Sequence, residues 1–400
     1  MTLPEAVKLA MRLLEQNRLA EAEAIFAAVL NADPHCADAL HFMGILRCRQ
    51  ERADEAVALI RQAIAAAPDY AEAHHNLGNI LRAMGRFQEA QDAFGRMIEL
   101  APNLSEAHLN LADVLRRSGH GVEALPFYVR ALELEPTLAE AHFQLGRTYY
   151  RLGMMPQGAA AFRKWLEMEP DNPVARHMVA ACGGAITPAR ASDGYVRCEF
   201  DDFADTFDDV MTKIGYNAPE HLATAIATHI QPSGPLDILD AGCGTGRCGA
   251  LVRRWSRRLT GVDLSPAMLE QAGKRNVYSE LVEAELTAFL EHTDRKFDLI
   301  LSADTFIYFG SLSAVFRGVG RCLRPGGYFV FSVEHHEAET CNEGFFLHPH
   351  GRYSQREGYV RQCLQESGLT VDGIEPATIR LELKEPVAGL IVTAALPHAP

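Results

Sequence analysis

From residue 3 to residue 170 the apolar positions recur on a helical period, and the same sizes return in fixed steps. Prolines stand at 34, 68, 102, 136 and 170, so every interval is 34 residues. Twenty-four residues before each comes a small one: Ala10, Gly44, Gly78, Ala112 and Gly146. Twelve before come Ala22, Ala56, Ala90, Ala124 and Gly158; eight before come the large residues Phe26, Ile60, Phe94, Tyr128 and Phe162. The pattern predicts helical hairpins. The small residues let two antiparallel helices approach, and the large one is expected to fill the gap to the next hairpin. Asn17, Gly85, Gly119 and Gly153 fall between the two halves, where a left-handed residue closes the first helix. Each proline ends the second helix, because it lacks an amide hydrogen and restricts the residue before it. Asn172–Ala180 reads as one further helix that caps the apolar end of the array.

The pattern changes near residue 185. Residues 185–200 hold Thr187-Pro188 and Ala191-Ser192-Asp193-Gly194 without apolar periodicity. The expected domains are therefore 1–184 and 185–400. Beyond the boundary, short apolar runs alternate with helical stretches: 236–240, 258–263, 278–284, 297–304 and 328–333. That alternation predicts an α/β fold with a mostly parallel sheet.

The first run ends in Asp240 and a Gly-x-Gly-x-Gly turn, Gly242, Cys243, Gly244, Thr245 and Gly246. Such a turn brings backbone and a helix N-terminus close to a ligand at the carboxyl edge of a sheet. The second run ends in Asp263, 17 residues after Gly246, where a carboxylate can accept both hydroxyls of a ribose. Ser265-Pro266 starts the next helix, serine as cap and proline at the first turn. The third run leads to Glu285-Leu286, the fourth to Ala303-Asp304 and Tyr308, and Arg324-Pro325-Gly326-Gly327 turns into the fifth.

Residues 1–170 resemble five tetratricopeptide repeats, an all-α solenoid. Residues 195–396 resemble a class I S-adenosylmethionine-dependent methyltransferase, a Rossmann-like domain with a seven-stranded, mostly parallel sheet. By that second resemblance Asp240, Gly242, Cys243, Gly244 and Gly246 face the methionine part of S-adenosylmethionine. Asp263 holds the ribose, with Leu264 and Met268 beside the adenine. Glu285 and Leu286 stand where the family has aspartate and leucine, and Ala303 with Asp304 borders the cofactor and the acceptor pocket. Related fusions show Arg-Tyr-Ala-His where this chain has Arg352-Tyr353-Ser354-Gln355, so a catalytic role at Gln355 is in doubt.

Three further features bear on function. Six acids fall within 199–209, and Phe200, Phe203, Ala204 and Phe207 share a helical face; the methyltransferase resemblance implies that this segment is a lid over the cofactor. His335 and His336 follow the fifth strand and Tyr308 the fourth; these are the candidate acid–base residues. Asn76, Asn110 and Gln144 repeat at one position of successive first helices, extended by Asn79, Arg82 and Arg116. They resemble the asparagine ladder of the tetratricopeptide superhelix in O-GlcNAc transferases, whose carboxamides pair with an extended peptide.

Composition trims this picture. The net charge of −14, from 38 bases and 52 acids, speaks against a duplex nucleic-acid partner. The first 184 residues carry −5 and the rest −9. Nine scattered cysteines without a Cys-x-x-Cys pair, and no His-Glu-x-x-His spacing, give no reason to expect disulfides or zinc. A reduced cytoplasmic setting, no signal peptide and no membrane span are expected. The function expected is S-adenosylmethionine-dependent methyl transfer by a chain whose solenoid groove recruits a protein or peptide, either the substrate or another partner. The alternatives are an assembly factor with a cofactor-binding but non-methylating domain, and a small-molecule O- or N-methyltransferase that self-associates through its repeats.

Overall fold

The computed structural model describes residues 1–183, 186–201, 203–230, 234–337, 344–382 and 385–398. Asp202, Cys341 and position 185, where the boundary was expected, lie outside the described residues. The chain divides into two compact units, Met1–Met168 and Glu169–Pro400. The helix Pro173–Ala181, expected as a solenoid cap, thus groups with the second unit. Its His177 stacks on Tyr195 at 3.9 Å and bonds the carbonyl of Gly351 at 2.8 Å through Nε2.

The first unit is five helix pairs: Leu3–Glu15 with Leu19–Ala32, Ala37–Arg49 with Ala53–Ala66, Ala71–Ala83 with Phe87–Leu100, Ser105–Arg117 with Gly121–Leu134, and Ala139–Arg151 with Met155–Met168. The turn inside each pair has left-handed backbone at Asn17, Glu51, Gly85, Gly119 and Gly153. Glu51 fills the position that glycine takes later, so the turn geometry is kept even where the sequence signal lapses. Before four of the repeat prolines the backbone leaves the helical region, with ψ of 94° at Asp33, 85° at Ala67, 70° at Ala101 and 87° at Glu135.

The large and small positions meet within one hairpin. A Cβ on Gly78 would lie 2.6 Å from the Phe94 ring, and one on Gly44 would lie 2.6 Å from Ile60. Gly146 stands against Phe162 in the same way. The large residue therefore covers the small residue of its own hairpin, where the spacing had pointed to the gap before the next. Sixteen residues separate the two positions, which is the length of one turn of the hairpin. A second periodic feature escaped the sequence reading. His74, His108 and His142 bond the carbonyls of Pro68, Pro102 and Pro136 at 2.8–3.1 Å, each six residues upstream. Proline offers no amide but leaves its carbonyl free, and a buried imidazole satisfies it.

The second unit is built on a seven-stranded sheet. Its strands are β1 (Leu236–Ala241), β2 (Ser256–Asp263), β3 (Glu280–Glu283), β4 (Phe297–Ser302), β5 (Leu323–Glu334), β8 (Thr370–Glu382) and β9 (Glu385–Ala395), in the order β3-β2-β1-β4-β5-β9-β8. β6 (Phe345–Leu347) and β7 (Tyr353–Gln355) pair separately. Neighbours from β3 to β5 are parallel; β9 runs antiparallel to β5 and β8. One face of the sheet packs on a phenylalanine cluster, Phe306, Phe316, Phe329 and Phe331, under the helices Ser313–Cys322 and Glu357–Glu366. The other face buries Ile238, Leu299, Leu301 and Val330 against Ala218–Ala225 and Arg247–Val252. The order reverses between β1 and β4, so the ligand crevice lies at their carboxyl ends.

Candidate active site

The turn after β1 is shaped by what its glycines leave out. Gly242, Gly244 and Gly246 all have positive φ. A Cβ on Gly242 would strike Thr305, whose hydroxyl bonds the Ala241 carbonyl at 3.1 Å. A Cβ on Gly244 would meet nothing within 4 Å. The turn thus has a packed side and an open side, and the open side is where a ligand can approach the backbone.

Asp263, at the end of β2, ties the crevice together. Its carboxylate accepts from the Gly244 amide at 2.8 Å and from the Ser265 amide at 2.9 Å. Burial pushes its pKa up, and the amides of Ser265 and Gly244 pull it back. The carboxylate is half-buried and keeps lone pairs beyond those two bonds. Ser265 caps the next helix through Met268, whose side chain is buried; Leu264 beside it is half-buried. Glu285 caps its own helix instead, accepting from Thr287 and Ala288 at 3.0 and 2.8 Å. Each of its oxygens accepts one amide, with Arg190 3.8 Å away and Leu286 buried behind.

Asp240 is 1% exposed. Its Oδ2 accepts from the Tyr278 hydroxyl at 2.6 Å and its Oδ1 has no partner. Burial pushes its pKa up to about 7, against the pull of Tyr278 and with the push of Asp263. Cys243 is buried and its thiol is held protonated by burial and by the charges of Asp263 and Asp240.

The acidic segment is broken rather than one helix: Asp193–Phe200, a 3-10 turn at Ala204–Thr206, then Phe207–Lys213. Its rings still meet, Phe200 with Phe207 at 6.1 Å and Phe203 with Phe207 at 5.4 Å. Its acids reach the crevice. Ser265 donates to Asp201 at 2.6 Å, Gln271 to Asp205 at 2.5 Å, and Thr245 to Asp208 at 2.7 Å, with Arg275 paired to Asp208 as well.

On the acceptor side, Asp304 follows β4 with φ 53°, a strained choice for aspartate. It pairs with Arg380 at 2.7 Å and bonds Ser332. Arg380 also pairs with Glu334, and Glu334 with Arg352 at 3.1 Å, so a chain of buried charges lines this edge. Tyr308 lies 5.5 Å from Phe200 of the acidic segment, ring to ring, and burial with the charge of Glu199 holds its hydroxyl protonated. Ala303, directly after β4, is half-buried.

His335 bonds the Gln355 carbonyl at 3.1 Å. His336 Nδ1 and His348 Nε2 share the Ser354 hydroxyl at 2.8 and 2.6 Å, and His336 Nε2 is buried without a partner. Burial keeps both imidazoles neutral. Gln355 is fully buried, and its amide holds the Phe309 carbonyl at 2.7 Å. It joins the loops after β4 and β5, a structural task. Tyr278, Arg275, His348 and Arg380 were not visible as site residues in the sequence. Each is distant in the chain from the motif it serves.

On the solenoid, Asn76, Asn79 and Arg82 share one first helix, Asn110 and Arg116 the next, and Gln144 the one after. Most of their polar groups are already engaged, while Gln144 Oε1 is buried without a partner. Asn76 meets His41 at 2.8 Å, Asn79 and Asn110 meet His75 Nε2 at 2.8 and 3.2 Å, and Gln144 donates to Glu140 at 2.7 Å. Arg82 and Arg116 both pair with Asp113.

Known proteins match both units. A family profile described as a methyltransferase domain matches residues 239–331, and tetratricopeptide-repeat profiles match 35–103, 75–139 and 115–182. This chain is a tetratricopeptide-repeat solenoid fused to a class I methyltransferase domain. The methyltransferase domain is similar to the malonyl-[acyl-carrier protein] O-methyltransferase of Acetivibrio thermocellus, 36% identical over 103 residues, which is 25% of this chain and 36% of that protein. The uncharacterized methyltransferase YodH of Bacillus subtilis is 34% identical over 109 residues, 26% of this chain and 46% of its own. This chain spans less than half the length of these curated relatives. Among solved structures, YrrB, described as a TPR protein with an unusual peptide-binding site, is 25% identical with a TM-score of 0.40, covering 43% of this chain and 89% of that one. MamA is 23% identical with a TM-score of 0.39, covering 40% and 94%. Among the described residues no helix is long and apolar enough to cross a membrane, and no cluster of ligating side chains could hold a metal.

Proposed function

We propose that the methyltransferase domain binds S-adenosylmethionine and transfers its methyl group to an acceptor carried by a protein or peptide that the repeats recruit. The observation that carries this reading is the pairing of Asp263 with the open glycine turn, since one carboxylate fixes the Gly244 amide and keeps lone pairs toward the crevice. The residues present fit the cofactor. Asp263 would take the ribose hydroxyls, Asp240 through Gly246 the methionine part, Leu264 and Met268 the adenine face, with Glu285, Leu286 and Ala303 around it. The cofactor supplies a methyl group on a sulfonium, which is a good leaving group. The chain's own part is to place the acceptor in line, exclude water and handle a proton. Tyr308, closed over by Phe200, suits the second task. His336 Nε2, a neutral and unpartnered nitrogen, suits the third, with His335 as the neighbouring alternative.

Calorimetry with S-adenosylmethionine and its demethylated product tests the reading; absence of binding would sink it, and binding without methyl transfer would leave the assembly-factor alternative. Incubating a proteome with purified protein and labelled S-adenosylmethionine then identifies the acceptor. A second reading follows from the relatives, several of which are named as O-methyltransferases of malonyl-[acyl-carrier protein]. A carboxylate on a carrier protein needs no base, and malonyl-carrier protein is the substrate to offer first. Methylation of free small molecules by a self-associating chain would favour the remaining alternative.

A further inference from the structure

The Tyr278 ring occupies a slot that three glycines make. A Cβ on Gly246 or Gly261 would lie 2.9 Å from it, and one on Gly249 would overlap it. These glycines come from the turn, from β2 and from the helix Arg247–Val252, so the ring is wedged beneath the turn from three sides. The wedge delivers one polar atom. The Tyr278 hydroxyl donates to Asp240 Oδ2 at 2.6 Å, while Asp240 Oδ1 stays buried and unpaired. A carboxylate in that setting has one side-chain donor, with the backbone amide of Gly249 as the further group that favours its charge, and an unsatisfied buried oxygen carries a large desolvation penalty.

The groups that face Asp240 are few. Tyr278 comes from the loop before β3, Asp263 from β2, Cys243 from the turn and Cys248 from the helix above. Burial keeps both thiols and the phenol protonated. Asp263 repels. Tyr278 is thus the side-chain donor that favours the ionised form of Asp240.

We infer that Tyr278 is a positioning residue which holds Asp240 in place and ionised beneath the glycine turn, so that the positively charged methionine end of the cofactor is preferred. The inference rests on the cofactor reading above and adds a residue and a control to it. Protonating Asp240 removes the charge that the cofactor would meet, so affinity falls as the pH drops. Removing the Tyr278 hydroxyl disfavours the ionised carboxylate and moves that fall to higher pH.

The test is calorimetry of the full chain with S-adenosylmethionine between pH 6 and pH 9, on the wild type, Tyr278→Phe and Asp240→Asn. Tyr278→Phe keeps the ring in its slot. It is expected to weaken binding roughly tenfold at pH 7 and to recover to within about twofold of wild type at pH 9, the midpoint having moved up by about one to two pH units. Asp240→Asn is expected to bind weakly with a flat pH profile. Unchanged affinity of Tyr278→Phe at pH 7, or a loss that persists at pH 9, would overturn the inference. Carboxyl NMR of aspartate-labelled protein without ligand gives the same midpoint independently. If the wild type binds no cofactor, the functional reading falls, and the Asp240 midpoint in Tyr278→Phe still decides whether Tyr278 sets its charge.

Discussion

The Thr245 hydroxyl donates to the Asp208 carboxylate across 2.7 Å, which fastens the acidic segment ahead of the sheet to the middle of the glycine turn. Arg275 doubles the tie by pairing with Asp208 and donating to the Thr245 carbonyl at 2.6 Å. A ligand lying on the turn would be covered by this segment. Asp208→Asn should therefore speed dissociation of the demethylated cofactor roughly threefold to tenfold, an effect of ~1 kcal/mol for a partly exposed pair. Stopped-flow displacement measures it. Raising the salt concentration should speed the wild type and leave the variant almost unmoved.

Asp263→Ala removes the carboxylate that organises the Gly244 and Ser265 amides. Cofactor binding should weaken by about 1–3 kcal/mol, read by calorimetry. Unchanged affinity would remove the ribose from Asp263.

Asn76→Ala with Asn110→Ala should lower methylation of a recruited protein and leave cofactor affinity unchanged. Both amides already meet histidines, His41 and His75, so a peptide must compete with those bonds. A fall in cofactor affinity would show that the ladder acts on the second unit.

Phe94 is fully buried against Gly78. Phe94→Ala should destabilise the solenoid by about 3–5 kcal/mol, seen as a loss of the first unit's melting transition. Gly78→Val should be comparably damaging, because the added atoms meet the same ring.

His41 is buried between Tyr70 at 3.0 Å and Asn76 at 2.8 Å, and burial lowers its pKa to about 4. The folded state disfavours the charged imidazole, whereas the unfolded chain takes the proton near pH 6.5. The stabilisation is present above that pH and is lost as the pH falls toward 4. Urea titrations at pH 7 and pH 5 should show the solenoid weaker at pH 5, and His41→Gln should flatten the difference.

The solenoid was legible because its signals are local and repeated. A helix pair packs on itself, so the small and large positions recur with the period, and Gly85, Gly119 and Gly153 mark turns within one hairpin. Even there the partner of the large residue was misjudged, since spacing alone does not say which neighbour a side chain covers. The cofactor crevice was half legible. Asp240, the glycines and Asp263 sit at strand ends, where α/β topology always brings ligands. The partners of Glu285 were not legible, since its oxygens accept the amides of Thr287 and Ala288 at the start of its own helix.

By itself the sequence determined the two architectures, the order of the motifs and the residues whose backbone must bend, because those depend on period, turn chemistry and strand termini. Only the tertiary structure decided which side chains meet. Tyr278 lies 38 residues from Asp240 along the chain, Arg275 67 from Asp208, and Arg380 76 from Asp304, yet each pair is in contact. Parallel strands joined by crossovers bring such distant loops to one edge of the sheet. The charge and hydrogen-bond state of the site is set there, by burial and partners that no local pattern encodes.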